Sequence, residues 1–398
     1  MRILYASQRP PYPFFLGGAA RCAHRLLLSL THDAGVDCAA VGSAAYTVTP
    51  WALPPPADRA ALGVMGVSPS PAAGTRLANL QTLDCGYPVQ LLPNAEGELG
   101  TLIDRFAPDV VWSQLEGAPE VLSLARAKGI QGLLYVHDAE DDARQLRAAA
   151  ATGCHVVCSS DFLARKVSPV IGRPVHVVYP ASDWYFGTPA DPGGFITLVN
   201  PHAVKGLDTF LALARRLPQH RFLLQESWKL GDTALAALHE RLAALPNVTF
   251  RHRVADMRQV YAQTRLLLAP SVWEEGFGMV AVEAQSCGIP VVASARGGLP
   301  ESVGQGGVLI DDYLDVNAWI PAVEALLGDA QGWRAASASA LAHARSAQFQ
   351  PQQLARRFVD ICRSPAPGVG AIARGLHRLQ QGLARVVMLR RVAQREGK

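Results

Sequence analysis

The hydrophobic pattern switches repeatedly between short apolar runs, which predict buried strands, and segments with apolar residues every three or four positions, which predict helices. In the first half the predicted strands are 2–7, 38–41, 109–114, 132–137, 154–159 and 175–179. The predicted helices between them are 19–30, 99–106, 120–128, 143–151 and 160–166. Strands that alternate with helices at this spacing indicate parallel β-α-β units. Residues 45–98 show no clear period.

The same alternation restarts at residue 195, after a stretch with three prolines and three glycines that fits neither period (180–194). Strands are predicted at 195–200, 221–225, 248–253, 266–269, 289–293 and 306–310, and helices at 207–217, 233–245, 256–262, 279–286, 316–327 and 352–362. We therefore predict an α/β protein with an amino-terminal domain at 1–182, a linker at 183–194 and a second domain at 195–350. A helix at 351–364 is expected to cross back to the first domain, and 365–398 forms a separate tail.

One stretch of the second domain combines a glycine turn with two carboxylates. Gly276 and Gly278 follow an apolar strand and precede a helix, so the helix begins with free amides, which together with the helix dipole favour an anion. Glu275 on the turn and Glu283 inside the helix cannot bind phosphate, but they can accept hydrogen bonds from sugar hydroxyls. Amides and carboxylates side by side predict a ligand with both phosphate and hydroxyl groups.

The sequence around this turn, PSVWEEGFGMVAVEAQSCGIPVVAS followed by GGLPE, resembles the donor site of the retaining glycosyltransferases of family 4. The resemblance covers about residues 1–363 and is densest at 195–311. It implies a GT-B fold, in which two Rossmann-like parallel-sheet domains face a central cleft. It also implies that Glu275 binds the transferred sugar, that Glu283 accepts the ribose hydroxyls, and that the backbone of Gly276, Phe277, Gly278, Met279 and Val280 approaches the diphosphate.

A second glycine loop follows the first predicted strand. Gly17 and Gly18 are adjacent, so they do not form the GxGxxG dinucleotide fingerprint, but they let the backbone approach a ligand at the strand's carboxyl end. A flexible turn is the alternative interpretation. The resemblance places such a pair at the floor of the cleft.

His137 ends a predicted strand of the first domain, where catalytic groups of open α/β sheets often lie. The resemblance implies that this histidine faces the donor sugar. The acids that follow it, at 138 and 140–142, suggest two alternatives. They hold a divalent cation, or they are simply the favourable acids of a first helical turn.

Lys205 lies after the first strand of the second domain, beside a glycine and a helix start, which suits phosphate binding. The segment NPHAVKGLD resembles the family's diphosphate-binding loop, in which an arginine accompanies the lysine. The lysine matches and the arginine does not. We therefore consider His202 and Arg21 as replacements for the missing base.

Composition limits the function classes without choosing one. The chain has 398 residues, 49% of them hydrophobic and 18% charged, and its formal charge of +4 gives no reason to expect nucleic acid as a partner. Its seven scattered cysteines predict buried thiols and a reducing cytoplasm. We expect no metal and no resident cofactor, because amides and a lysine can neutralise a diphosphate.

The tail carries apolar residues on one helical face and arginines around it at 370–396. Such a helix suits contact with an anionic membrane surface, packing on the first domain, or dimerisation. The sequence does not predict the oligomeric state.

Together these features predict a retaining glycosyltransferase that moves a hexose from a nucleotide diphosphate sugar, such as a UDP- or GDP-hexose, to a hydroxyl acceptor. His137, Lys205 and Glu275 are its predicted catalytic residues. A non-catalytic sugar-nucleotide-binding protein and an epimerase-type or phosphorylase-like GT-B enzyme are the alternatives. No motif identifies the donor, the acceptor or the pathway.

Overall fold

The amino-terminal domain is built on one nine-stranded sheet. The structure is a computed structural model, and it describes residues 1–15, 17–43, 70–71, 82–92, 95–254 and 256–365. The strands are β1 (Arg2–Ser7), β2 (Asp37–Ser43), β3 (Ser70–Pro71), β4 (Thr82–Asp84), β5 (Pro88–Leu92), β6 (Val110–Gln114), β7 (Gln131–Val136), β8 (His155–Cys158) and β9 (His176–Val177). Their order is β3-β4-β5-β2-β1-β6-β7-β8-β9. Pairing is parallel from β5 to β9 and antiparallel from β3 to β5, an extension that the sequence pattern did not predict.

The helices of this domain, among the residues that the structure describes, are α1 (Gly18–His32), α2 (Ala95–Phe106), α3 (Ala118–Ala127), α4 (Ala143–Ala151) and α5 (Asp161–Ile171). The start of α5 follows from its sequence, because Ser160 precedes it and its hydroxyl accepts the amide of Leu163 at 3.0 Å. The helix continues through Pro169 to a left-handed Gly172, so it is longer than the predicted 160–166.

The second domain contains a six-stranded sheet in which all pairs are parallel. Its strands are β10 (Phe195–Val199), β11 (Phe222–Gln225), β12 (Val248–Arg251), β13 (Thr264–Ala269), β14 (Val291–Ser294) and β15 (Gly307–Ile310), in the order β12-β11-β10-β13-β14-β15. Its helices are α6 (Leu207–Arg216), α7 (Asp232–Leu242), α8 (Arg258–Tyr261), α9 (Met279–Ser286), α10 (Leu299–Val303), α11 (Val316–Leu327) and α12 (Ala330–Ala344). The pattern did not predict α10 and α12. The predicted α/β class with two largely parallel sheets is confirmed.

Two segments join the domains. A single 3-10 turn in the connection, Asp183–Tyr185, buries Trp184 and Tyr185 in a core cluster that contains residues of both sheets. Helix α13 (Pro351–Arg363), the last one in the described part of the chain, packs on the first sheet, where the ring of Phe358 lies 5.1 Å from that of Trp112. The exact domain limits stay a prediction.

The loops at the carboxyl ends of the two sheets meet, so the site predicted from sequence lies where the domains contact each other. Glu301, at the start of α10, accepts the first amides of α5, from Asp161 at 2.7 Å and Phe162 at 2.6 Å. A side chain of one domain therefore caps a helix of the other, which fixes their relative orientation.

All seven cysteines are buried free thiols, as predicted. Within the described ranges, no helix is both long and apolar enough to cross a membrane. The predicted amphipathic stretch at 370–396 and most of 45–98 lie outside the described residues.

Candidate functional site

Lys205 and Glu275 form an ion pair between two loops of the second domain. Lys205 ends a 3-10 turn after β10, and Glu275 lies in the loop after β13. The Lys205 Nζ is 2.7 Å from Oε1 of Glu275, and the Ser271 hydroxyl donates to the same oxygen at 2.6 Å. The lysine and glutamate side chains are 14% and 15% exposed. The structure thus brings together two residues predicted to bind opposite ends of one donor.

The backbone fixes the position of Lys205. The next residue, Gly206, has φ +80°, and a Cβ there would stand 1.9 Å from the carbonyl oxygen of Pro270. Val272 also donates its amide to the carbonyl of Val204 at 3.0 Å. Only glycine allows this approach, and it holds the lysine loop directly beside the Glu275 loop.

The turn at Gly276 is compressed between the two domains. A Cβ on Gly276 would lie 1.9 Å from the backbone carbonyl oxygen of His137, and a Cβ on Gly297 would lie 2.6 Å from the amide nitrogen of Glu275. Gly298 donates its amide to the carbonyl of Glu275 at 2.7 Å. The GGLPE segment therefore supports the turn from one side, and the strand end of the first domain closes it from the other.

Two helices begin next to each other in this region, and neither start is neutralised. Helix α9 begins after Gly278 (φ +93°) and α1 begins after Gly17, and neither has a side-chain cap or an acid in its first turn. A Cβ on Gly18 would lie 3.6 Å from the sulfur of Met279, and the Cys22 sulfur lies 3.0 Å from the same atom. Helix starts carry partial positive charge, so two of them side by side favour an anion at this point.

His137 is held in one neutral tautomer. Its Nε2 lies 2.9 Å from Oε1 of Gln114, and the Gln114 amide group donates to the carbonyl of Ala19 at 3.1 Å. This second bond assigns the glutamine orientation, so the histidine Nε2 carries the proton and Nδ1 is an acceptor. Burial lowers the pKa of His137 to about 3. The imidazole is therefore uncharged at neutral pH.

Glu283 differs from the prediction that it is an open acceptor for ribose hydroxyls. It is 3% exposed, and both of its oxygens have partners: Tyr261 donates its hydroxyl to Oε2 at 2.8 Å, and the Arg21 guanidinium lies 3.3 Å from Oε1. A ribose reaches this carboxylate only if Arg21 moves or shares the oxygen. The predicted ribose contact stays a prediction with that condition attached.

Arg21, one of the two replacements considered for the missing arginine, has side-chain partners of its own. Its guanidinium pairs with Glu283 and donates to the Tyr185 hydroxyl, and it lies 5.0 Å from the centre of the Trp184 ring. These contacts join α1 to the second domain, and the replacement of the missing arginine by Arg21 stays a prediction. The other candidate, His202, lies on the Lys205 loop, and its Nε2 is buried with no hydrogen-bond partner among the described residues.

The Phe277 side chain packs in an aromatic cluster, so the expectation for this residue concerns its backbone alone. It is buried against Tyr179 and Phe349, with ring centres 5.6 and 5.8 Å away. Only the backbone of this residue belongs to the turn. Val280 and Met279 remain at the start of α9, where the free amides were predicted.

The acids after His137 are not in a first helical turn. Helix α4 begins at Ala143, and Asp142 caps it by accepting the amide of Arg144 at 2.8 Å. Burial, together with the neighbouring acids Asp138 and Glu116, raises the pKa of Asp141 to about 7. Within the described part of the chain, no group of three or more histidine, cysteine or acidic residues is arranged to hold a metal.

Comparisons with known proteins give sequence matches over part of the chain. Residues 194–329, which cover most of the second domain, match the family model for glycosyl transferases group 1. A D-inositol 3-phosphate glycosyltransferase from Mycobacterium sp. (strain JLS) is 35% identical over 176 residues, covering 38% of this chain. The chain spans only 39% of the length of that relative.

Solved structures match over both domains. Anabaena Alr3699/HepE in complex with UDP-glucose superimposes with a TM-score of 0.67 at 19% identity, covering 90% of this chain and 98% of that chain. Sucrose-phosphate synthase from Thermosynechococcus elongatus also gives a TM-score of 0.67, at 15% identity, with coverages of 91% and 98%. Similarity at this level of identity confirms the GT-B fold.

Several residues of the site were not predicted. Gln114, Ser271 and Tyr261 each hold a predicted residue in place, and no role was predicted for any of the three. The position of Gln114, a polar residue at the end of an apolar strand, is the one signal in the sequence that indicated it. The other two are recognisable only from the contacts.

Proposed function

We propose that this chain, whose second domain matches the glycosyl transferases group 1, is a retaining glycosyltransferase that moves a hexose from a nucleotide diphosphate sugar to a hydroxyl acceptor. One observation carries the proposal. Two uncapped helix starts and a lysine meet beside a carboxylate that a sugar can use. Together they provide positive groups for a diphosphate and an acceptor for the hydroxyls attached to it.

The Lys205–Glu275 pair offers one group to each end of the donor, the lysine to the diphosphate and the glutamate to the sugar. In the structure the two side chains pair with each other. When the donor binds, its diphosphate replaces Glu275 as the ion-pair partner of the Lys205 ammonium. The released Glu275 oxygen then accepts a hydrogen bond from a sugar hydroxyl. Ser271 keeps its bond to the carboxylate and holds its orientation. The same exchange prevents either charge from being left unpaired in a partly buried site.

The reaction breaks the bond between the anomeric carbon and the diphosphate oxygen and forms a bond to the acceptor oxygen on the same face of the sugar. The departing diphosphate oxygen takes the acceptor proton, so no enzyme carboxylate has to form a covalent intermediate. Lys205 and the helix starts stabilise the negative charge that develops on the leaving group. His137 is neutral, so it positions the sugar through Nδ1 without adding charge.

Two of the similar proteins support a chemical class for the donor and for the acceptor. The comparison structure named as bound to UDP-glucose supports a nucleotide diphosphate hexose as the donor. The relative named for D-inositol 3-phosphate supports a polyhydroxylated small molecule as one acceptor to test. We further propose that the reaction needs no divalent metal, since Lys205 and two helix starts supply the positive charge.

The test is release of nucleoside diphosphate from UDP-, GDP- and ADP-linked hexoses, with and without D-inositol 3-phosphate and other polyols, measured with and without EDTA. We expect one donor to be consumed and proton NMR to show the donor's anomeric configuration in the product. Tight nucleotide binding without turnover supports the non-catalytic alternative instead. Release of free nucleotide without formation of a glycoside supports an epimerase-type enzyme. Inversion at the anomeric carbon contradicts the retaining mechanism.

A further inference from the structure

Trp228 is a large apolar side chain at the mouth of the site, in the loop after β11. It is 47% exposed, although tryptophan is normally well buried. The Lys205 ammonium lies over its ring, 5.0 Å from the centre, and the His202 ring meets it edge to face at 5.3 Å. The indole is therefore in contact with two residues predicted to bind the donor, while about half of its surface stays open.

Hydrogen bonds within the protein hold the loop that carries Trp228 in place. The Trp228 amide donates to Oδ1 of Asn200 at 3.1 Å. Glu226, which is 5% exposed, accepts the amide of Leu230 at 2.8 Å and the amide of Arg253 at 3.2 Å. A buried carboxylate thus ties both ends of the loop and the neighbouring strand end together. The exposed indole is a preorganised feature of the surface, which lowers the entropy lost when a ligand stacks on it.

Strand order indicates which part of the donor reaches Trp228. The carboxyl ends of β13, β10 and β11 lie side by side, and they carry Glu275, Lys205 and Trp228 in that sequence. If the sugar lies at Glu275 and the diphosphate at Lys205, the nucleoside extends over β11. The Trp273 ring centre, on the Glu275 loop, lies 5.3 Å from the Lys205 ammonium, so the lysine contacts one indole from each of the two neighbouring loops.

We propose that Trp228 is the stacking platform for the nucleobase of the donor, an inference that rests on the proposed function. Lys205 covers one part of the indole through a cation–π contact, and the base stacks on the part that remains open. Stacking on an aromatic ring accepts any base, so this residue adds affinity for the nucleoside without selecting uracil, guanine or adenine.

Calorimetric titration of the wild type with UDP, GDP, ADP and inorganic pyrophosphate tests the proposal. Trp228→Ala is expected to weaken the tightest-binding nucleoside diphosphate by about fivefold or more, the low end for loss of one stacked base. Pyrophosphate binding is expected to change less than about twofold by the same principle, since it reaches only Lys205 and the helix starts. Trp228→Phe keeps a ring and is expected to recover most of the affinity.

Leu314→Ala is the matched control, because Leu314 is an exposed apolar residue of the same domain (72%) in the segment after β15, at the opposite edge of the sheet. Equal weakening of nucleotide and pyrophosphate by Trp228→Ala overturns the proposal, because it shows that the indole serves only Lys205. Unchanged nucleotide affinity also overturns it, while the proposed function survives. A wild type that binds none of the four compounds overturns both.

Discussion

The Arg21 guanidinium lies 3.3 Å from the Glu283 carboxylate, and this contact joins the first helix of one domain to a buried acid of the other. The arginine and glutamate side chains are 14% and 4% exposed. Because Tyr261 holds the second oxygen, the pair closes the side of α9 that was predicted to receive ribose. It is both a connection between domains and an obstacle to the expected nucleotide contact.

We predict that Arg21→Met lowers the free energy of unfolding by about 3 kcal/mol or more, because it leaves a buried carboxylate without its positive partner. Chemical denaturation monitored by tryptophan fluorescence measures this loss. The double variant Arg21→Met/Glu283→Gln removes the unpaired charge and keeps an acceptor for Tyr261, so it should recover much of the stability. A double variant as unstable as Arg21→Met alone contradicts the assignment of the loss to the unpaired charge.

Lys205→Ala should reduce turnover of the donor by about 10²-fold or more, the usual effect of removing one group that stabilises a developing negative charge. It should also weaken pyrophosphate binding, whereas Glu275→Gln should weaken binding of the intact donor but not of pyrophosphate, because the variant no longer competes for the Lys205 ammonium. Initial rates and calorimetry separate the two variants.

Lys128→Ala is the control for this experiment, since Lys128 is also paired with a carboxylate, Asp104, at 2.7 Å, but lies outside the cleft. If Lys128→Ala reduces turnover as much as Lys205→Ala does, the effect is a general one of lost charge and not a property of the site.

The pKa of His137, lowered by burial to about 3, has two consequences for pH dependence. The unfolded chain binds a proton at His137 near pH 6.5, whereas the folded chain binds it only near pH 3. The free energy of unfolding therefore falls as the pH is lowered from 6.5 to 3, by about 1.4 kcal/mol per pH unit from this residue. Above about pH 6.5 it contributes no such dependence.

Denaturation of the wild type and of His137→Asn at several pH values between 4 and 7 tests this, and the difference between the two proteins should shrink as the pH falls. The pH profile of kcat/KM for the wild type should show no step near pH 6.5 that can be assigned to His137. A step that is present in the wild type and absent from His137→Asn is the contrary result. Such a step would mean that the imidazole titrates in the ordinary range and is more exposed than the structure indicates.

Gly276→Ala places a methyl group where the His137 carbonyl oxygen lies 1.9 Å away, and both groups belong to backbone that cannot rotate aside. We expect the domains to separate slightly, with a loss of about 1–3 kcal/mol in stability and a large loss of turnover, since the Glu275 loop moves with the turn. Thermal unfolding and initial rates measure the two effects.

Gly231→Ala is the matched control, because a Cβ at Gly231 meets nothing within 4 Å and its φ of −69° suits alanine. Normal stability and turnover in Gly276→Ala would show that the contact between the two domains is looser than described.

The sequence by itself determined the two α/β domains, the turn at Gly276, and the strand-end positions of His137 and Lys205. These are consequences of local periodicity, of the conformations open to glycine, and of the rule that parallel strands end at one edge. The ends of α4, α9 and α11 were predicted to the residue, because caps and glycines act within one helical turn.

Only the tertiary structure decided what those side chains contact. Glu283 could be recognised from its spacing, but its pairing with Arg21 joins residues 262 positions apart in sequence, as the two numbers in that ion pair show. The partners of Lys205, the neutral state of His137 and the exposure of Trp228 depend in the same way on burial and on distances between separate loops. Hydrophobic pattern and motif spacing describe one segment at a time, whereas the chemistry of this cleft arises where segments from both domains meet.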